Sequence, residues 1–104
     1  MAETLQTDVA IVGAGPVGLF AVFQCGMLRM RCVVLDALDA IGGQCTALYP
    51  EKPIYDIPAH PSIDGAGLVD ALERQAAPFA PHYLLGRRVD RLERRDGGFV
   101  LGTD

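Results

Sequence analysis

Gly13, Gly15 and Gly18 stand in a G-x-G-x-x-G run, and an acid, Asp36, follows eighteen residues after the last of them. These residue types at this spacing fit the diphosphate bridge and the ribose of a dinucleotide. The first glycine permits a tight turn, the second lets pyrophosphate approach the backbone, and the third lets a helix pack closely on a strand. The pyrophosphate then rests on a helix amino-terminus, where free N–H groups and the helix dipole favour an anion. Pro16 suits the first helical position, because the N–H it lacks would find no partner there. Asp36 is placed to accept hydrogen bonds from an adenosine ribose. Its charge disfavours a 2′-phosphate, which leaves FAD and NAD as the candidates.

Those residues need a strand, a turn, a helix and a second strand to position them. Asp8–Val12 is a short apolar run rich in β-branched residues and reads as a buried parallel strand. From Pro16 to about Met30 the pattern is helical and apolar on most sides. Cys32–Leu35 reads as a second buried strand, ending in Asp36. Val9 to Leu28 carries no charge and is long enough to suggest a membrane span, but its glycines and Pro16 break it into strand, turn and helix, so no membrane is expected. Residues 37–63 read as a long loop, rich in Gly and Pro yet supplied with Leu48, Tyr49, Ile54, Tyr55 and Ile57. A loop of that length in a compact domain usually binds something. Asp64 then caps a predicted helix over Gly65–Ala77, with Leu68, Leu72 and Ala76 on one face. Tyr83–Leu85, Val89–Glu93 and Phe99–Leu101 are predicted short strands, the last two joined at Gly97-Gly98. The fold class expected is α/β, an incomplete FAD/NAD(P)-binding Rossmann-like domain with a parallel sheet followed by a β-meander.

At 104 residues the chain suffices for one compact domain, and at 50% hydrophobic and 21% charged it can build a core. A net charge of −4 disfavours nucleic acid as a partner, since phosphate binding needs an excess of Lys and Arg. Cys25, Cys32 and Cys45 form an odd set without C-x-x-C or metal-ligand spacing, which points to reduced thiols, a cytoplasmic protein and no metal. Glu3 and Asp8 stand where a secretory signal would need basic residues. His60 and His82 are isolated from any cluster that would make a nucleophile, and no catalytic side chain is expected. Arg87, Arg88, Arg91, Arg94 and Arg95 alternate with Asp90, Glu93 and Asp96. A solvated hairpin face is the plainer account of them, and a docking patch for an acidic electron carrier the sharper one.

The stretch Ile41-Gly-Gly-Gln-Cys-Thr-Ala-Leu-Tyr-Pro-Glu-Lys-Pro-Ile-Tyr-Asp-Ile-Pro58 resembles the flavin loop of the thioredoxin-reductase-like ferredoxin/flavodoxin–NADP⁺ reductases. Gly42-Gly43-Gln44 and Leu48–Lys52 are its specific parts. Leu68–Gln75, Pro78-Phe79 and Leu85-Gly86 leading into Val89 extend the resemblance over essentially the whole chain. It also bears on the choice of cofactor. An NAD dehydrogenase is expected to form a short helix after the acid, whereas a glycine pair opening a long Pro-rich loop suits FAD.

The resemblance implies that Gln44 contacts the ribityl or pyrophosphate region and that Tyr49 stacks on the isoalloxazine. It implies that Val89 holds the adenine through its backbone. The implied activity passes electrons from NADPH through FAD to ferredoxin or flavodoxin, in a homodimer. The NADPH domain and the remainder of the FAD domain are expected to lie outside residues 1–104. In disulfide reductases like glutathione reductase, Gly-Gly-x-Cys is followed five residues later by a second cysteine. Here Cys45 is followed by Pro50, so dithiol chemistry within this loop is excluded. The rival expectations are another FAD enzyme, such as a thioredoxin reductase or a monooxygenase, and a non-catalytic nucleotide-binding fragment.

Overall fold

The computed structural model describes residues 4–104, and Glu3 lies outside the described residues. The elements run β1 (Val9–Val12), α1 (Pro16–Met27), β2 (Cys32–Asp36), α2 (Gly43–Ala47), β3 (Pro53–Ile54), β4 (Ile63–Asp64) and α3 (Gly65–Ala76). A 3-10 turn (Ala77–Phe79), β5 (His82–Leu85), β6 (Val89–Arg95) and β7 (Gly98–Thr103) complete them.

β1, β2 and β5 form a parallel sheet in that order, with Val9 opposite Cys32 and Val34 opposite Tyr83. The central strand β2 buries Val33, Val34 and Leu35 in succession, as a parallel strand covered on both faces should. β1 differs from the buried strand its composition suggests. It is an edge strand of the described sheet, and Val12 is 62% exposed. Its apolar run reads the same whether or not a neighbour covers it. The start of the sheet is tied by Asp8, whose carboxylate accepts the Arg31 N–H at 2.8 Å and lies 3.5 Å from the Arg31 Nε. The backbone hydrogen bond from Arg31 is the main cause holding the Asp8 carboxyl below its ordinary value of 3.8.

α1 begins at Pro16 as predicted but ends at Met27, short of Met30. Arg29 takes a left-handed φ of 58°, and the amides of Arg29 and Met30 donate to the carbonyls of Gly26 and Cys25 at 3.0 and 2.9 Å. The chain thereby folds back into β2 without a glycine to announce the turn. Val22, Val34, Ala14 and Ala76 form the core cluster, and Leu19 is also fully buried. Each such Leu or Val contributes about 1.5–3 kcal/mol. α1 packs on α3, and the Phe79 ring from the 3-10 turn after α3 occupies the space that a side chain at Gly26 would need.

Residues 37–63 are not the uniform loop expected. They contain α2 and the small antiparallel β3–β4 ladder, in which Pro53 is opposite Asp64. Gly42 and Gly43 adopt φ of 113° and 56°, and this reversal lets α2 start at Gly43. α3 has the predicted cap, the Asp64 carboxylate accepting the Gly67 N–H at 2.6 Å. Of the three predicted short strands, the first joins the parallel sheet as β5. The meander is thus the single β6–β7 hairpin in the described residues. Its turn is Asp96-Gly97, both at positive φ, one residue earlier than Gly97-Gly98.

Candidate functional site

At the carboxyl end of the parallel strands, a hydrogen-bond network joins Asp36 to the glycine turn and to Gly42. The carboxylate of Asp36 at the tip of β2 accepts the Ala14 N–H at 2.7 Å through one oxygen and the Leu38 N–H at 2.8 Å through the other. The Ala14 carbonyl accepts the Gly42 N–H at 2.7 Å, and the Gly13 N–H donates to Leu35 at 2.7 Å. The Asp36 carbonyl accepts the Arg87 N–H at 3.0 Å, two residues before Val89. On the other side, the Gln44 carbonyl accepts the amides of Leu48 and Tyr49 at 3.0 and 3.2 Å. Asp36, the glycine turn and Gly42 are thus joined directly, while Val89 stands two residues after Arg87 and Gln44 two residues after Gly42 along the chain.

The three glycines differ in what surrounds them. Gly13 turns the chain at a φ of 114°. A Cβ on Gly18 would collide with the Gly13 carbonyl and come within 3.4 Å of the Ile11 side chain, so only glycine lets α1 sit this close to β1. Gly15 meets nothing on this chain nearer than the Gly43 Cα, 3.9 Å from where its Cβ would stand. Two bare backbones thus face each other, Gly15 at the start of α1 and Gly43 at the start of α2. They approach so closely that a Cβ on Gly43 would stand 3.2 Å from the Gly15 Cα, and the glycine-lined amino-terminus of α1 beside them is the cradle of this site.

No side chain caps α1, whose first hydrogen bond runs from the Leu19 N–H to the Gly15 carbonyl at 2.9 Å. The amides of Val17 and Gly18 are left without an acceptor inside the helix. This donor set, ahead of a helix dipole, fits a pyrophosphate. Asp36 keeps free lone pairs on both oxygens after its two backbone bonds, enough for a pair of ribose hydroxyls.

Gln44 and Tyr49 are both exposed on the outer side of α2 and the turn after it. Tyr49 is 55% exposed, with the Lys52 ammonium 5.6 Å from its ring centroid. Val89 is half-buried at the head of β6, opposite Thr103. The short helix α2 removes one ground for choosing FAD over NAD, since a helix does follow the acid here. The choice rests instead on the Gly42-Gly43-Gln44 and Leu48–Lys52 strings themselves. Ala14, Leu38 and Gly43 were not individually foreseen. Ala14 and Leu38 act through backbone amides, which leave no trace in residue type, whereas the glycine pair was the available signal for Gly43.

Cys25, Cys32 and Cys45 are all free thiols. No group of three or more metal-ligating side chains occurs among the described residues. No helix among them is long and apolar enough to cross a membrane. The arginine-rich hairpin is solvated: Arg95 pairs with Glu93 at 2.9 Å, and Arg94 lies over Phe99 at 5.6 Å.

Comparison with known proteins bears on the fold and the family. The chain is 65% identical to a protein named ferredoxin–NADP reductase from Gluconacetobacter diazotrophicus, over 99% of this chain and 30% of that protein. It is 64% identical to one of the same name from Acidiphilium cryptum, over 100% of this chain and 31% of that protein. The chain thus spans about a third of the length of these curated relatives. Among solved structures, the thioredoxin reductase of T. acidophilum superposes with a TM-score of 0.82 at 26% identity, over 94% of this chain and 31% of that one. Cyclohexanone monooxygenase shares the fold at a TM-score of 0.70 and 21% identity, over 94% of this chain and 24% of that one. Residues 11–74 match the family described as NAD(P)-binding Rossmann-like domain, and they hold the glycine turn, Asp36 and the α2 wall of the cradle. On that match, and on the parallel sheet that carries the cradle, the chain belongs to the NAD(P)-binding Rossmann-like domain family.

Proposed function

We propose that this chain is the amino-terminal part of the FAD-binding domain of a ferredoxin–NADP reductase. The observation that supports this most is the hydrogen-bonded link of Asp36 to the glycine turn and Gly42, in a chain that is 65% identical to a protein of that name. FAD runs from adenine through ribose, pyrophosphate and ribityl chain to the flavin ring. Val89 would hold the adenine by its backbone, Asp36 the ribose hydroxyls, and the amides of Val17 and Gly18 the pyrophosphate. Gln44 would contact the ribityl region and Tyr49 would cover one face of the ring. When bound, FAD supplies the conversion of a hydride from NADPH into single electrons for a carrier. No side chain of this chain need act as acid or base. Its residues bind, orient and shield.

Ferredoxin or flavodoxin would be the electron acceptor, NADPH the donor at a site outside this chain, and a cytoplasmic homodimer the working form. The test is to purify the whole protein, release its cofactor and identify it by chromatography, then assay NADPH-driven reduction of ferredoxin. FAD together with ferredoxin reduction is the expected result. FMN or no flavin would remove the cofactor assignment, and FAD without ferredoxin reduction would leave a flavoenzyme of another kind.

A further inference from the structure

Thr46 is a polar side chain that the site described above does not use. It stands on α2, four residues after the buried Gly42. Its hydroxyl oxygen is buried and has no hydrogen-bond partner among the described residues. A buried hydroxyl without a partner weighs against folding, so what this side chain contributes is its branched shape. That shape lies directly over Gly42. A Cβ on Gly42 would collide with the Thr46 hydroxyl and Cβ, and would stand 3.2 Å from Cγ1 of Val69 on α3. Two side chains, one from α2 and one from α3, therefore close on the same glycine.

What Gly42 holds in turn belongs to the cradle. Its N–H donates to the Ala14 carbonyl at 2.7 Å, and Gly43 after it is the residue that meets Gly15. The backbone entering α1 is thus held by Gly42 and Gly43 on one side and by Asp36, through the Ala14 N–H, on the other. The far end of α2 is fixed separately. The Ala66 N–H donates to the Pro50 carbonyl at 2.8 Å, and a Cβ on Gly65 would collide with the carbonyls of Cys45 and Tyr49. With that end pinned, the place of Gly42 depends on what packs over it.

We propose that Thr46 is a positioning residue for the cofactor. By packing on Gly42 it holds the Gly42–Gly43 backbone against Ala14 and Gly15, and so keeps the amino-terminus of α1 placed for a pyrophosphate. The inference rests on the FAD reading given above. Thr46 need not touch the ligand, and it acts by shape and not through its hydroxyl.

Two substitutions separate shape from hydroxyl. Thr46→Val keeps the β-branch and exchanges the hydroxyl for a methyl group, whereas Thr46→Ala removes both branches from over Gly42. The experiment is to titrate the whole apoprotein and the two variants with FAD. Hydrogen exchange of the segment spanning Gly42 is followed by mass spectrometry on the same samples without FAD. Thr46→Ala should bind FAD about tenfold more weakly, a coupling of the size seen between packed neighbours, and this segment should exchange faster. Thr46→Val should bind FAD and exchange as the parent does, and should resist denaturant better because no buried hydroxyl is left unpaired. Parent-like affinity in a folded Thr46→Ala, or weaker binding without faster exchange, would overturn the proposal. Weakened binding by Thr46→Val would overturn it too, since the hydroxyl would then have a role of its own. Should Thr46→Ala not fold, Thr46→Val alone decides between shape and hydroxyl. A parent that takes up no FAD would sink the reading of the site and this inference with it. A parent that binds FAD beside a Thr46→Ala variant that binds it equally well sinks this inference alone.

Discussion

Asp36 holds the glycine turn before any ligand arrives, its Oδ2 accepting the Ala14 N–H at 2.7 Å. The same carboxylate is the proposed anchor for the ribose, so one side chain both shapes the turn and reads the ligand. In Asp36→Asn one acceptor oxygen becomes an NH₂, which would point a donor at the N–H of Ala14 or of Leu38. The charge-assisted bonds lost contribute about 1.5–3 kcal/mol, so FAD affinity should fall roughly ten- to a hundredfold. Titration of the apoprotein with FAD measures this. An unchanged dissociation constant would take Asp36 out of the site.

The glycines of the turn should separate folding from binding. Gly18→Ala drives a methyl into the Gly13 carbonyl and should destabilise the fold by about 1–3 kcal/mol, as overpacking does. Gly15 sits at an ordinary φ of −79° with only the Gly43 Cα near its missing Cβ, so Gly15→Ala should fold normally. Its methyl would nevertheless stand in the cradle and cut FAD affinity by about tenfold, about 1.4 kcal/mol. Denaturant unfolding and FAD titration on the same two variants check the contrast. Equal stability losses would contradict it.

Tyr49 distinguishes a flavin-covering role from a merely structural one. Tyr49→Ala should raise the fluorescence of bound flavin and weaken FAD retention by about 1–3 kcal/mol, by analogy with base stacking on aromatic side chains. Tyr49→Phe keeps the stacking surface and should change little. Tyr55, 70% exposed in the same segment, serves as the control, and its Ala variant should leave emission unaltered. If Tyr49→Ala leaves both emission and affinity as they were, the loop does not cover the flavin, and the role of Gln44 falls with it.

The Asp8–Arg31 tie makes an acid-side prediction. The Asp8 carboxyl titrates lower in the folded protein than its ordinary 3.8. Its contribution to stability is therefore present above that value and is lost as the pH falls through the lower, folded-state value. The stability difference between the parent and Asp8→Ala should hold steady at neutral pH, shrink below 3.8 and vanish once the pH is under the lower, folded-state value. Thermal unfolding across an acid series checks this, and a difference that persists in strong acid would assign the effect to packing.

The parts of the fold set by short-range chemistry were legible in the sequence. Pro16 marked the start of α1, Asp64 the cap of α3, and the glycine spacing the turn around which the cradle forms. The parts decided by distant partners were not. Nothing in Tyr83–Leu85 says that it will lie beside β2 and not beside Val89–Glu93, because three apolar residues suit either neighbour. The α1 ending at Met27 depends on Arg29 accepting a left-handed φ, which residue type opposes. The walls of the cradle were half legible: Gly43 could be read as a glycine pair, but the amides of Ala14 and Leu38 that hold Asp36 could not.

The unpaired side of β1 has a bearing on how this chain behaves in solution. A row of backbone donors and acceptors runs along that strand with no neighbour among the described residues, and Val12 beside it is 62% exposed. Such a border is a template onto which any extended segment can zip, including the same strand of another molecule. No lysine, proline or bulge within Val9–Val12 interrupts it. Produced as this stretch by itself, the polypeptide should self-associate through β1 and grow more prone to precipitate with concentration. A lysine at Val12 would be the smallest change to blunt that tendency.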